Sequence, residues 1–196
     1  LNLAYELIDE RCDIAMGQGS RRRWPGLDSS FAGVLMLGYH PMDNTLDGVL
    51  AHTYDSTKYQ YIKVNGREVG EMAIDGAIAG DMGVPVMFAA SCAKGIVEIG
   101  GFMPWVKTVV TKDGLGRNMA ISKHPLRAAK EIKEGVKEAV RDLTTMRAFT
   151  FERPTKVEMR FKRLEDAEAI SRSHIGWVRV DPYTVQKKFY SIDEWF

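Results

Sequence analysis

The sequence predicts an α/β fold, a sheet with flanking helices, carrying a smaller α+β lobe at its C-terminal end. Strand and helix patterns alternate through the first two-thirds, the signature of a sheet covered by helices. The run Val84–Ala90 is continuously apolar, which suits a strand covered on both faces. The last third instead reads strand, helix, strand, strand. The change falls near Thr144–Pro154, so residues 1–145 are expected to form the α/β core and 146–196 the lobe.

Taken in order, Leu3, Leu7 and Ile8 share one helical face and predict a short N-terminal helix. Cys12–Met16 reads as a short strand. Gln18–Gly26 is a loop rich in glycine, with Arg21–Arg23 beside Trp24. Those arginines could hold a phosphate or carboxylate, but a solvated loop is the default reading. Gly33–Leu37 is a buried strand ending at Gly38, Tyr39 and His40, and Pro41–Leu50 is a polar loop. Tyr59–Val64 alternates and meets Asn65-Gly66, a strong hairpin signal, before Val69.

Glu71–Met82 is a closely packed helix of small and apolar residues, stopped by Gly83. Val106–Val110 is a further strand. His124-Pro125 opens a long amphipathic helix to about Leu143, with Ile132, Val136 and Val140 on its apolar face. Lys156–Phe161 alternates with Val157, Met159 and Phe161 on one side. A short helix from Leu164 follows, then strands near Trp177–Val180 and Thr184–Phe189.

The 196 residues are 45% apolar and 27% charged, which excludes collagen-like and disordered classes. Lys+Arg 27 against Asp+Glu 26 leaves a formal charge of +1, too balanced for a dedicated nucleic-acid or membrane-surface binder. No apolar run is long enough to span a bilayer. Two cysteines, Cys12 and Cys92, without CxxC spacing exclude a cysteine-rich zinc site and a disulfide framework. With no signal peptide at the N-terminus, a cytoplasmic location is expected. The chain opens at Leu1 already in pattern and closes on Ser191–Phe196 as a helix beginning, so both ends read as cuts through a longer domain.

Chemistry concentrates at His40, His52 and Glu71. His40 follows a buried strand at its C-terminal end, where open α/β sheets place ligands. A single histidine there is usually structural. Two histidines and a carboxylate at strand and helix ends are, however, the ligand types of a catalytic zinc. Asp75 stands one helical turn after Glu71, where two carboxylates either bind a cation jointly or crowd each other unfavourably, unless Asp75 points to solvent. Gly114-Leu115-Gly116-Arg117 resembles a phosphate loop but lacks its third glycine and its Lys-Ser/Thr. His124 reads as a helix-start residue and His174 as uninvolved. Cys92 has no readable base to make it a nucleophile.

The segments Phe31–His40, Gly48–His52, Val69-Gly70-Glu71, Ala79-Gly80 and Val84-Pro85-Val86 closely resemble the zinc D-aminopeptidases of the dipeptide-transport operon type. The resemblance continues through Thr108–Lys112, Gly116-Arg117-Asn118, His124-Pro125 and Phe149–Pro154, over nearly the whole chain. It implies that His40 and Glu71 are metal ligands and His52 the catalytic nucleophile or base. It also implies two zinc ions in a complete site, short peptides with an N-terminal D-residue as substrates, and ring-like homo-oligomers. The family's Asp-x-Glu-Gly strand and Asn-Asp-Ser-His segment, which supply further ligands, have no counterpart here, and a C-terminal helix is absent too. Ser91-Cys92-Ala93 stands where the family has Gly-Asp-Asp, and Asp75 where it has Asn.

The first expectation is therefore a metal-dependent aminopeptidase, or part of one. The alternative is a non-catalytic assembly or binding subunit of the same fold with an incomplete metal site. A hydrolase of another amide or ester is a third.

Overall fold

The period of two of an extended chain sends successive side chains of the first strand to opposite faces. In the computed structural model, which describes residues 4–15 and 23–195, β1 (Val34–Leu37) buries Val34 and Met36 and exposes Leu35 and Leu37. It is an edge strand covered on one face, not the fully buried strand expected from its unbroken apolar run. Its neighbour β4 (Val86–Cys92) is the strand with all seven residues buried. β5 (Lys107–Gly116) lies on the other side of β4, and both pairings are parallel. β6 (Met119–Ser122) closes this sheet antiparallel to β5, giving the order β1-β4-β5-β6.

The second sheet is antiparallel. β2 (Tyr59–Val64) turns through Asn65-Gly66 into the two-residue β3 (Arg67–Glu68). Both turn residues have positive φ, 50° and 84°, as a tight hairpin turn requires. β2 then pairs with β7 (Thr155–Phe161), and β9 (Thr184–Phe189) and β8 (Val178–Asp181) complete the order β3-β2-β7-β9-β8. This sheet takes strands from both sides of residue 145.

Helix α1 (Glu71–Asp81) lies between the sheets, which is why its sequence is apolar or small all round: nine of its eleven residues are buried. Gly76 and Gly80 let it approach Met103 and the Phe149 backbone closely. Its C-terminal stop is Gly83, at φ 81°. α2 (Ala93–Phe102) packs on β4 and β5, and α3 (Pro125–Arg141) covers Met87, Phe88 and Ala90 through Ile132, Val136 and Ala139. α4 (Leu164–Ser173) packs on β7, β8 and β9. No helix among the described residues is long and apolar enough to cross a membrane.

Further readings of the sequence need revision. α2 was not foreseen, because Gly95, Gly100 and Gly101 mask its period. Residues 12–15 form no strand, and Met16 lies outside the described residues. Among the described residues the N-terminal segment makes a 3-10 turn at Tyr5–Leu7 in place of the expected helix. Gly114–Arg117, already short of a phosphate loop's third glycine and Lys-Ser/Thr, is the end and turn of the β5–β6 hairpin.

Candidate metal centre

His40 leaves the C-terminal end of β1 three residues after the strand, and Glu71 is the first residue of α1. The long loop between β1 and β2 returns His52 to the same place. Leu50 and Tyr54 hold positive φ, at 53° and 57°, so the backbone on both sides of His52 is in a conformation that non-glycine residues rarely adopt. The loop is braced from outside by the β5–β6 hairpin. The Leu50 N–H donates to the Arg117 carbonyl at 2.7 Å, and a Cβ on Gly114 would strike the Asp47 carbonyl oxygen. Gly114 thus serves close backbone packing under the His52 loop.

The three residues converge. His40 Nε2 lies 3.3 Å from Glu71 Oε1. The His40 and His52 rings stack with centroids 3.6 Å apart. One donor atom from each of His40, His52 and Glu71 fits within 4.8 Å of the others. His40 Nδ1 faces the Pro41 carbonyl at 3.2 Å, and His52 Nδ1 faces the Leu50 carbonyl at 2.5 Å. A carbonyl oxygen only accepts, so both Nδ1 atoms donate and each ring turns its Nε2 toward the site, where His40 Nε2, when protonated, donates to Glu71 and, when deprotonated, offers a lone pair. Backbone carbonyls holding the far nitrogen in this way are a recurrent support for metal-binding histidines.

Glu71 is held on both oxygens. Oε1 accepts the Tyr54 N–H at 2.9 Å and Oε2 accepts Arg23 Nη2 at 3.2 Å. Burial alone would raise its carboxyl, but the His40 bond, the Tyr54 amide and Arg23 outweigh burial and keep it below the usual range. Burial depresses the His40 imidazole, and the bond to Glu71 overcomes it, so His40 titrates above its ordinary value.

Asp75 does not point to solvent. It is 1% exposed and receives Arg23 Nε at 2.9 Å, Arg23 Nη2 at 2.8 Å and the Tyr39 hydroxyl at 3.0 Å. Its backbone carbonyl accepts Trp24 Nε1, pinning the preceding loop to α1. Burial raises its carboxyl above the usual range, and Arg23 limits the rise. Arg23 is therefore structural to the site and not part of a solvated loop; Arg21 and Arg22 lie outside the described residues. Only its position beside Trp24 hinted at this.

Beside His40 a cleft of about 390 Å³ opens between β4, β5 and α3, lined by Leu50, Cys92, Lys112 and Ile132 among others. Cys92 is buried at its edge. His124 caps α3, its Nδ1 accepting the Leu126 N–H, as expected of a helix-start residue. His174 ends α4, away from the cluster. Sequence reasoning missed Glu98, an acidic residue on the inner face of α2. Burial pushes its carboxyl up to about 7.

The sequence profile of the D-aminopeptidase family matches residues 1–196. A curated D-aminopeptidase of Bacillus subtilis (strain 168) is 27% identical over 150 residues, which are 76% of this chain and 54% of that protein. The chain thus spans about half the length of the curated relative it matches. Among solved structures, the Zn-dependent D-aminopeptidase DppA from Bacillus subtilis, described as a self-compartmentalizing protease, superposes with a TM-score of 0.91 at 25% identity. That match covers 98% of this chain and 70% of DppA. With its profile matched from end to end and its fold shared throughout, the chain belongs to the D-aminopeptidase family.

Proposed function

We propose that this chain carries part of the catalytic centre of a zinc aminopeptidase that hydrolyses short peptides with an N-terminal D-residue. The observation behind the proposal is the convergence of His40, His52 and Glu71, two imidazoles and a carboxylate within 4.8 Å. That donor set fits zinc. His40, through Nε2, and Glu71, through Oε1, are the residues that would hold the ion. When bound, zinc supplies Lewis-acid activation of the scissile carbonyl and of water. His52 moves the proton at Nε2: its Nδ1 is occupied by the Leu50 carbonyl, so Nε2 is the nitrogen able to accept and return one. The neighbouring cleft beside His40 gives the substrate's side chain a half-apolar place to lie. The likeness to self-compartmentalizing DppA supports a homo-oligomer as the working form.

Zinc titration by calorimetry, paired with hydrolysis of D-alaninamide, tests this. Binding lost in both His40→Ala and Glu71→Ala is the expected result. A protein that neither binds zinc nor cleaves the amide supports the alternative, a non-catalytic assembly subunit.

A further inference from the structure

We infer that Glu98 is a positioning residue: wedged between Met42 and Gly70, it sets the spacing of the two segments that carry His40 and Glu71. The inference rests on the site reading above, in which those two residues share a metal.

Glu98 lies on the core-facing stripe of α2, with Gly95, Ile99 and Phe102. An apolar residue is the ordinary occupant of such a position. A carboxyl group, only 9% exposed, stands there instead. Oε2 accepts the Met42 N–H at 2.6 Å, two residues after His40. Oε1 is buried with no hydrogen-bond partner among the described residues, so the group is kept despite a desolvation cost that a merely space-filling side chain would avoid.

The opposite wall is Gly70, the residue before Glu71 and the N-cap of α1. Its φ of −104° is open to any residue, so backbone freedom does not require glycine here. Space does. A Cβ at Gly70 would lie 2.3 Å from Glu98 Oε1 and 2.8 Å from Met42 Cβ. The Glu98 carboxyl, the Met42 segment and the start of α1 thus meet at one point. Pulling Glu98 away frees the Met42 amide; adding a methyl at Gly70 pushes the same carboxyl off it.

Three variants separate positioning from packing. Glu98→Gln keeps an acceptor for the Met42 amide. Glu98→Met fills a similar volume without one, and Gly70→Ala displaces the carboxyl from the other side. Two readouts apply at a temperature where each variant is folded: zinc affinity by chelator competition, and the His40 ring in the metal-free chain by long-range ¹⁵N NMR with its contact to the His52 ring. The expected result is zinc binding close to that of the unmodified chain for Glu98→Gln, and a loss of about 10–100-fold for Glu98→Met and Gly70→Ala. The His40–His52 ring contact should weaken in the same two variants.

If folded Glu98→Met and Gly70→Ala both bind zinc normally and keep the ring contact, the inference is overturned. It is equally overturned if both fail to fold while Glu98→Gln folds, because the contact then serves stability alone. Should the unmodified chain bind no zinc, the functional reading fails, and the NMR arm still decides the role of Glu98.

Discussion

The imidazoles of His40 and His52 stack with centroids 3.6 Å apart and planes inclined by 21°, although eleven loop residues separate them in sequence. Two imidazolium rings would repel at that distance, so the stacking disfavours two positive charges on the pair. Each Nδ1 proton is committed to a backbone carbonyl. The two Nε2 atoms differ in surroundings: His40 Nε2 lies 3.3 Å from Glu71 Oε1, and His52 Nε2 is the nitrogen to which the proposed function gives proton exchange.

That division predicts opposite mutant phenotypes. His52→Ala should retain zinc while hydrolysis of a D-amino-acid amide falls by about 10²–10⁴-fold, the usual worth of a general acid–base group. His40→Ala should lose zinc first and activity with it. Metal content of the two purified variants checks this. If His52→Ala is as zinc-poor as His40→Ala, His52 is a ligand and the assigned roles are wrong.

Much of this site could be read from the sequence because its main residues sit at element ends. His40 follows β1 and Glu71 opens α1, and both transitions carry strong local signals in Gly38 and Gly70. What could not be read was set by contacts distant in sequence. Arg23 reaches Asp75 across 52 residues, and Glu98 reaches Met42 across 56. Neither distance leaves a periodic trace. Gly114 teaches the same lesson: it answers to the carbonyl of Asp47, a partner no local pattern names.

The Arg23–Asp75 pair should be strongly non-additive. Asp75 is nearly sealed from solvent and Arg23 is its cationic partner. Arg23→Met leaves a buried carboxylate uncompensated, a change that typically costs about 3–5 kcal/mol. The double variant Arg23→Met/Asp75→Asn should recover part of that loss. Urea denaturation of the two single variants and the double variant measures the coupling; additive losses would show that the pair contributes nothing of its own.

Gly80→Ala should destabilise the fold without touching His40, His52 or Glu71. Its Cβ would approach the Phe149 carbonyl oxygen to 1.8 Å, a backbone atom that cannot swing aside as a side chain does. Overpacking of this kind costs about 1–3 kcal/mol. A lower denaturation midpoint with unchanged zinc affinity is the expected result. An unchanged midpoint would mean that the segment around Phe149 yields freely and does not clamp α1.

Glu98 should give the stability curve a distinct pH signature. Its carboxyl rises from 4.5 to about 7 on folding because burial disfavours the charged form, more than the Met42 amide and the nearby positive His40 can offset. The negative Glu71 pushes the same way as burial. A folded-state value above the unfolded one means the folded protein binds the extra proton. The neutral group's contribution is therefore fully present below about pH 4.5 and is lost as pH climbs through about 7. The full swing corresponds to about 3 kcal/mol. Because Glu98→Gln cannot ionise, subtracting its stability from that of the unmodified chain isolates this group from His40 and Glu71. The difference should fall steadily between pH 4.5 and 7 and flatten beyond about pH 8. A difference that stays level across that window would place the Glu98 carboxylate, charged, in contact with a compensating partner.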